Sequence, residues 1–349
     1  MGILEHILNV DQAPLLVAEL SGNHGGDLGK AIELLEAAVK SGADAIKIQT
    51  YKPETITVQG RCDRFLIKDG LWSGYYLHEL YEMAMTPWEW HLPLAERAKD
   101  LGVDLFSSPF DESAVDFLED TIKPKVYKVA SFELNHFPLL QKIGETKKPV
   151  LASVGVSNFE EIEIALETLH SSGCPSVTLL HCISEYPAEV KDFNLNTIKV
   201  LREKFSTTVG LSDHSQGFSV ALAATALGAR VVEKHFTLDR NKSSVDGQFS
   251  MLPEEFKKMT DQVRLIHSAL GSNKPIDYVK EFKGARYKRS ILVSAPISKG
   301  DLLTAENIRV ARPGDGLCPS LWYKILGSKA EIDMDVGHPL KSEDFCYSE

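Results

Sequence analysis

Two histidines stand at matching points of neighbouring segments. His214 ends the run TTVGLSDHS (207–215) and His235 ends RVVEKHF (230–236), with a stretch of helical composition, FSVALAATALGA (218–229), between them. Each run is short, β-branched and apolar and stops abruptly in polar residues, as a buried parallel strand does. The spacing therefore predicts both imidazoles at the carboxyl ends of neighbouring parallel strands, the end where open sheets and barrels carry their chemistry. Two imidazoles placed there could share a divalent ion or move protons. Imidazole alone points to zinc, but two protein nitrogens with open oxygen positions fit a labile Mn²⁺ or Mg²⁺ equally.

The other strand ends carry cations and hydroxyls. Lys47 lies in AIKIQT (45–50) and Lys128 in VYKVAS (126–131), inside apolar runs. An unpaired ammonium is costly to bury there, so each lysine needs an anionic partner. Ser107 and Ser108, Ser131, Ser153, Ser184 and Ser212 end strands in the same way, as do Gln49, Glu133, His181 and Asp213. Lysines and hydroxyls converging on one mouth describe a phosphate site. Glu19, just ahead of NHGG (23–26), is a candidate general base or sugar-binding carboxylate, and equally a candidate buried ion-pair partner.

The elements that must position these residues follow one rhythm. Candidate strands are 15–20, 45–50, 104–109, 126–131, 149–154, 176–182, 208–213 and 231–236. Amphipathic stretches such as 30–42, 89–102, 158–173 and 254–271 lie between or after them, several closed by Gly. Eight strand–helix units over about 250 residues is the size of a TIM (β/α)₈ barrel. A doubly wound sheet is the weaker alternative, because no GxGxxG opens the chain. Residues 51–88 form a long insertion after the second strand, where barrels build rims and lids. The boundaries read as a catalytic barrel over 1–271, a basic linker over 272–286 and a small second domain over 287–349. Some sixty residues hold only a marginal core, so that domain should dock on something.

Composition narrows the classes. The chain has 349 residues and a formal charge of −11, which argues against a nucleic-acid surface. An anionic substrate remains compatible with it, since a pocket can be locally positive. The five cysteines have no CxxC spacing, which suits a reducing compartment. The first residues, MGILEHILNV, lack a basic n-region and a long apolar run, and His6 breaks the myristoylation pattern. No apolar run approaches the ~20 residues of a spanning helix. The expectation is a cytoplasmic protein.

Taken in order, AELSGNHGGDL (18–28), GADAIKIQTY (42–51), FSSPF (106–110), YKVAS (127–131), LLHCISEYP (179–187), GLSDHS (210–215), EKHFTLDR (233–240) and KGDLLTAENIRVARPGDGL (299–317) resemble the sialic acid synthase family across essentially the whole chain. The resemblance implies a TIM barrel followed by a small C-terminal antifreeze-like (SAF) domain. It implies condensation of phosphoenolpyruvate with an acylamino sugar aldehyde, with release of phosphate. KDGLW (68–72), TPWEWH (86–91) and VDGQFS (245–250) look most like the pseudaminic acid branch, whose sugar is a 2,4-diacetamido-2,4,6-trideoxy hexose. Legionaminic acid and N-acetylneuraminate synthases are the alternatives. The N-acetylneuraminate enzymes typically carry a GPD-H-K-like stretch where this chain reads SSVDGQFS, which implies a different sugar pocket.

Residue by residue, the resemblance implies that Lys47, Lys128, Ser131, Ser153, Ser184 and Ser212 hold phosphoenolpyruvate, with Ser108 supplying a hydroxyl where relatives often carry Thr. It implies that His214 and His235 bind a divalent metal, with Mn²⁺ ahead of Mg²⁺ or Co²⁺. Glu19, Gln49, Tyr186 and Asp246 would face the sugar. Arg312 would enter the barrel of a second subunit in a domain-swapped homodimer. Water would be activated by the metal or by Glu19. Two more remote readings are a metal-dependent aldolase or phosphosugar isomerase, which would release no phosphate from phosphoenolpyruvate, and a non-catalytic glycan-binding protein.

Overall fold

The computed structural model describes residues 2–240, 244–271 and 275–347. Eight parallel strands close a barrel in chain order: β1 (Leu15–Glu19), β2 (Ala45–Thr50), β3 (Asp104–Pro109), β4 (Tyr127–Val129), β5 (Val150–Ser153), β6 (Val177–Cys182), β7 (Val209–Asp213) and β8 (Val231–His235). Closure comes from β1 against β8, in register from Leu15 opposite Val231 to Glu19 opposite His235. This is the expected (β/α)₈ barrel. Helices lie at Leu28–Lys40, His91–Asp100, Phe159–Ser171, Ser219–Ala226 and Pro253–Leu270, where the periodicity places them. Their starts have local causes. The Asp27 side chain accepts from the Lys30 amide, and Asn158 with Glu161 forms a capping box.

The strands read as continuous apolar runs because both faces are buried, but the two faces differ. Leu16, Ala18, Ile46, Ile48, Val129, Val150 and Val232 pack into the core shared with the helices. The alternate residues face the barrel interior, and their chemistry changes along its axis. Leu15, Val17, Ala45, Phe106, Leu151, Leu180 and Val231 form an apolar cluster at the amino-terminal end. Two or four residues further along the same faces stand Glu19, Lys47, Ser108, Lys128, Ser153, Ser212, Glu233 and His235, all buried. The period of two along a strand thus puts an apolar plug below and a charged layer above. At Gly210 a Cβ would come within 2.7 Å of Leu180 Cδ2 and Val231 Cβ, so only glycine lets β6, β7 and β8 pack at that level.

A short helix that the sequence reading did not mark, Ile3–Leu8, closes the amino-terminal end, with Ile3 and Ile7 joining the apolar cluster. Arg230 holds it there, donating to the carbonyl oxygens of Ile7 (3.0 Å), Gln12 (2.8 Å) and Asn9 (2.6 Å). A cation on the last carbonyls of a helix satisfies them and suits its dipole.

The chain divides into two compact units, residues 1–272 and 273–349. The second contains a helix at Tyr278–Glu281 and two antiparallel pairs: β9 (Ser290–Val293) with β10 (Ile308–Ala311), and β11 (Lys329–Ala330) with β12 (Phe345–Cys346). Its own core gathers Ile291, Val293, Leu303, Ile308, Met334 and Phe345. Among the described residues, no helix is long and apolar enough to cross a membrane.

Candidate active site

A cavity of about 610 Å³ opens at the carboxyl ends of the strands. That volume is within the range of roughly 300–1,000 Å³ that holds small-molecule ligands. Among the expected residues, Lys47, Gln49, Lys128, Ser131, Ser153 and Ser184 line it. So do Tyr186, Ser212, His214, His235 and Asp246. Arg312 belongs to the second unit, on β10's continuation.

The floor is a buried charge cluster. Lys128 Nζ donates to Ser153 Oγ at 2.7 Å and to the Val129 carbonyl at 3.2 Å. Lys47 is ion-paired with Glu19 and lies 3.4 Å from Ser108 Oγ. Between the two lysines sits Glu233, whose Oε1 is 3.3 Å from Lys47 Nζ and 3.9 Å from Lys128 Nζ and accepts from Ser212 Oγ at 3.2 Å. Burial opposes the charge on Lys47, but Glu19 and Glu233 outweigh it and raise the ammonium's pKa. At Lys128 burial wins over Glu233 and the like charge of Lys47 adds to it, so its pKa is lowered. Glu233 is itself buried, yet Lys128 and Lys47 hold its carboxyl below the ordinary value. Such a cluster gains when an anion arrives, because Lys128 then acquires a second counter-charge.

Glu233 was missed in the sequence reading, although its strand was marked. The available signal is the alternation Val231, Glu233, His235, which puts the carboxylate on the same inward face as the histidine. Glu19 and Ser108 stand behind Lys47 instead of in the cavity wall. Glu19 is fully buried, accepts from the Ser21 amide at 2.8 Å and is pushed upward in pKa by burial, against the pull of Lys47. Its geometry is that of the ion-pair partner, one of the roles its position allows, and it also accepts from Gln49 Nε2 of the cavity wall at 3.4 Å. Ser107, His181 and Asp213 are turned away from the cavity. Ser107 Oγ meets Thr50 Oγ1 at 2.6 Å, His181 Nε2 meets the Phe193 carbonyl at 2.6 Å, and Asp213 pairs with Lys234 at 2.8 Å.

Other carboxylates do reach the wall. Glu133, in the turn after β4, is pushed up to about 7 by burial, and its Oε2 is buried without a hydrogen-bond partner. Asp246 is pushed up to about 6 by burial, against the Ser21 hydroxyl that donates to it. Gln49 Nε2 donates to that same Ser21 hydroxyl at 2.9 Å, which orders a polar chain from β2 to the loop after β8. Ser131 Oγ accepts from the Gly155 amide at 3.1 Å. A Cβ at Gly155 would fall within 2.5 Å of Cys182 Sγ and 2.6 Å of Ser184 Oγ, so the glycine keeps this corner open.

The histidines line the same cavity, with ring centroids 5.4 Å apart. His214 Nδ1 lies 2.8 Å from the Ile183 carbonyl oxygen, which requires a proton on Nδ1 and leaves the Nε2 lone pair free. Burial lowers His214 to about 4, and burial with the like charge of His214 lowers His235 well below its ordinary value. Both rings are therefore neutral near pH 7, the form that binds metals. His235 Nδ1 is buried with no hydrogen-bond partner and lies 3.7 Å from Asp246 Oδ2. Two neutral imidazoles with an orphaned buried nitrogen fit a divalent ion. Among the described residues, no group of three or more His, Cys, Asp or Glu side chains gathers as a metal site, so such an ion would keep positions open for oxygen ligands.

Known proteins agree with this architecture. Residues 34–275 match the NeuB family, and residues 288–345 match the SAF domain. The pseudaminic acid synthase of Campylobacter jejuni subsp. jejuni strain 81-176 is 44% identical over 337 residues, covering 97% of this chain and 98% of that protein. The pseudaminic acid synthase of Helicobacter pylori is 40% identical, covering 95% and 98%. Among solved structures, the N-acetylneuraminic acid synthetase of Leptospira borgpetersenii, in complex with citrate, superposes with a TM-score of 0.70 at 30% identity, covering 78% of this chain and 90% of that one. Matched by the family over its barrel and by relatives over nearly its whole length, the chain belongs to the NeuB family.

Proposed function

We propose that the chain is a pseudaminic acid synthase, joining phosphoenolpyruvate to an open-chain 2,4-diacetamido-2,4,6-trideoxy hexose with release of phosphate. One observation carries the reading: a buried Lys47–Lys128–serine floor and two neutral histidines line one cavity. The branch is supported by the 44% and 40% identity to pseudaminic acid synthases over nearly complete chains. The glycan-binder alternative has no need of two buried lysines, and the aldolase or phosphosugar isomerase alternative is told apart by releasing no phosphate from phosphoenolpyruvate.

Lys47, Lys128, Ser131, Ser153, Ser184 and Ser212 hold the phosphate and carboxylate of phosphoenolpyruvate. Tyr186, Gln49 and Asp246 line the side given to the sugar. His214, through Nε2, and His235 would hold a divalent ion, Mn²⁺ in the first instance, which supplies Lewis-acid polarisation of the sugar aldehyde when bound. C3 of phosphoenolpyruvate forms the new bond to the aldehyde carbon as its C2=C3 double bond opens and leaves positive charge at C2; the aldehyde oxygen becomes an alkoxide and then takes up the proton that Glu133 receives from water. Water adds at C2 and gives a proton to Glu133, whose raised pKa suits a base working near neutrality. The C2–O bond to phosphate then breaks as the new C2 hydroxyl becomes the ketone, its proton leaving with the phosphate, so that a 2-keto acid and hydrogen phosphate remain. The lysines stabilise the charge on the departing group from fixed positions.

The assembly belongs to the same proposal: a homodimer in which the partner subunit's Arg312 completes the sugar site. The five free cysteines support a reducing, cytoplasmic setting. The test is phosphate release from phosphoenolpyruvate with the diacetamido sugar, with added Mn²⁺ and with EDTA. Release that needs both sugar and metal is expected. No release with any open-chain acetamido sugar overturns the proposal.

A further inference from the structure

The cavity has two faces of opposite character. Its floor is the charged layer of the strand ends. Its wall comes from the 51–88 insertion, which contributes Ile56, Ile67, Trp72, Leu77, Leu80 and Tyr81. Ile56, Ile67, Trp72 and Leu77 are only half-buried although they face an enclosed space. They keep apolar surface that a ligand with apolar groups would remove from water. Besides Tyr81, none of these six side chains except the Trp72 indole has a polar atom, and that N–H is already engaged. It donates to the Val245 carbonyl at 2.9 Å. The bond ties the insertion to the loop that carries Asp246.

The indole also rests on the histidine end of the site. Its ring is 5.6 Å from that of Tyr186 and 6.3 Å from that of Phe249. Tyr186 in turn lies 4.4 Å from His214, and Phe249 lies 4.9 Å from His235. Trp72 therefore connects the apolar wall to the place where the aldehyde must sit.

We infer that Trp72, with Ile67 of the same wall, is a specificity-determining residue that selects sugars ending in a methyl group over those ending in a hydroxymethyl. The inference rests on the proposed reaction and adds a basis for its choice of substrate. A hydroxyl turned toward Ile56, Ile67, Trp72, Leu77 and Leu80 loses its water and finds no partner among them, whereas a methyl group gains contact. Apolar pockets discriminate such pairs by roughly 10–100-fold. The selection acts on the sugar and leaves phosphoenolpyruvate, held by the floor, unaffected.

The experiment measures kcat/KM for a 6-deoxy diacetamido hexose and for its 6-hydroxy counterpart, in the full-length protein with Mn²⁺ and phosphoenolpyruvate. The wild type should prefer the 6-deoxy sugar by about 10–100-fold. In Trp72→Ala that ratio should fall to within about threefold of unity, through the sugar's KM, with the KM for phosphoenolpyruvate unchanged. Trp72→Phe keeps the apolar face and should retain most of the preference. Ile67→Thr, which leaves the tether in place, should lower the ratio even if Trp72→Ala fails to fold. A wild type that uses both sugars equally preserves the reaction and overturns the inference. So does an unchanged ratio in folded Trp72→Ala and Ile67→Thr, or a parallel rise in KM for phosphoenolpyruvate. No phosphate release with either sugar overturns the proposed reaction, and this inference with it.

Discussion

The Glu233 carboxylate lies 3.3 Å from the Lys47 ammonium, buried at the floor of the cavity, and the same oxygen is 3.9 Å from Lys128. Removing one partner of a buried ion pair leaves the other uncompensated, at about 3–5 kcal/mol. Glu233→Gln should destabilise the barrel by that order in denaturant unfolding. Phosphoenolpyruvate supplies the missing negative charge, so it should raise the melting temperature of the variant more than that of the wild type. An equal shift in both proteins would separate Glu233 from the anion site.

The histidines make a second prediction. His214→Ala or His235→Ala should abolish Mn²⁺ binding in calorimetry and lower kcat by about 10³-fold or more, a loss of roughly 4 kcal/mol in the barrier. Far-ultraviolet circular dichroism should stay unchanged, since neither ring is part of the apolar plug. Full activity in EDTA with both histidines replaced would refute the metal assignment.

Glu133 sets the pH dependence. Its carboxyl is raised by burial from 4.5 to about 7, so as a base it is active only above that point. The rate should rise through pH 7, and Glu133→Gln should remove that limb and lower kcat by about 10²–10⁴-fold. Stability runs the other way. Between 4.5 and about 7 the folded protein binds the proton that the unfolded chain has lost, so stability falls as pH rises across that window. In Glu133→Gln this decline should shrink, as urea midpoints at pH 5 and pH 8 will report.

Arg312 tests the assembly. Arg312→Ala should raise the KM for the sugar at least tenfold while leaving that for phosphoenolpyruvate within about twofold. Sedimentation should report a dimer for wild type and variant alike. A monomer with full activity would remove the partner subunit from the site.

Much of the barrel was legible because its strands are buried on both faces and end abruptly in polar residues. Lys47 and Lys128 were legible for the same reason: an ammonium inside an apolar run demands an anion. What the linear chain hides is which face each residue takes and what lies opposite. Ser107 and Ser108 are equivalent in sequence, yet one bonds Thr50 and the other meets Lys47. Glu19 and Glu233 come from strands that meet only when the barrel closes, so their competition for Lys47 has no local signature. His181 occupies a strand end like His235 but bonds the Phe193 carbonyl. The apolar wall was hidden too, since Ile56, Ile67 and Trp72 are scattered among polar residues and converge only over the cavity.

The helix Ile3–Leu8, pinned by Arg230, stops the barrel at one end with Ile3 and Ile7. With the apolar plug of the strands filling the same end, the cavity at the carboxyl ends of the strands is left as the way in, its charged floor next to the plug and the insertion's wall above it. A molecule bound at the wall stands in the way of one bound at the floor. On the proposed reaction the sequence of events would follow from depth: phosphoenolpyruvate first and sugar second on the way in, nine-carbon acid first and phosphate second on the way out. The order in which the substrates bind would then follow from the packing of the closed end, where strand residues and the helix Ile3–Leu8 meet and neither substrate reaches.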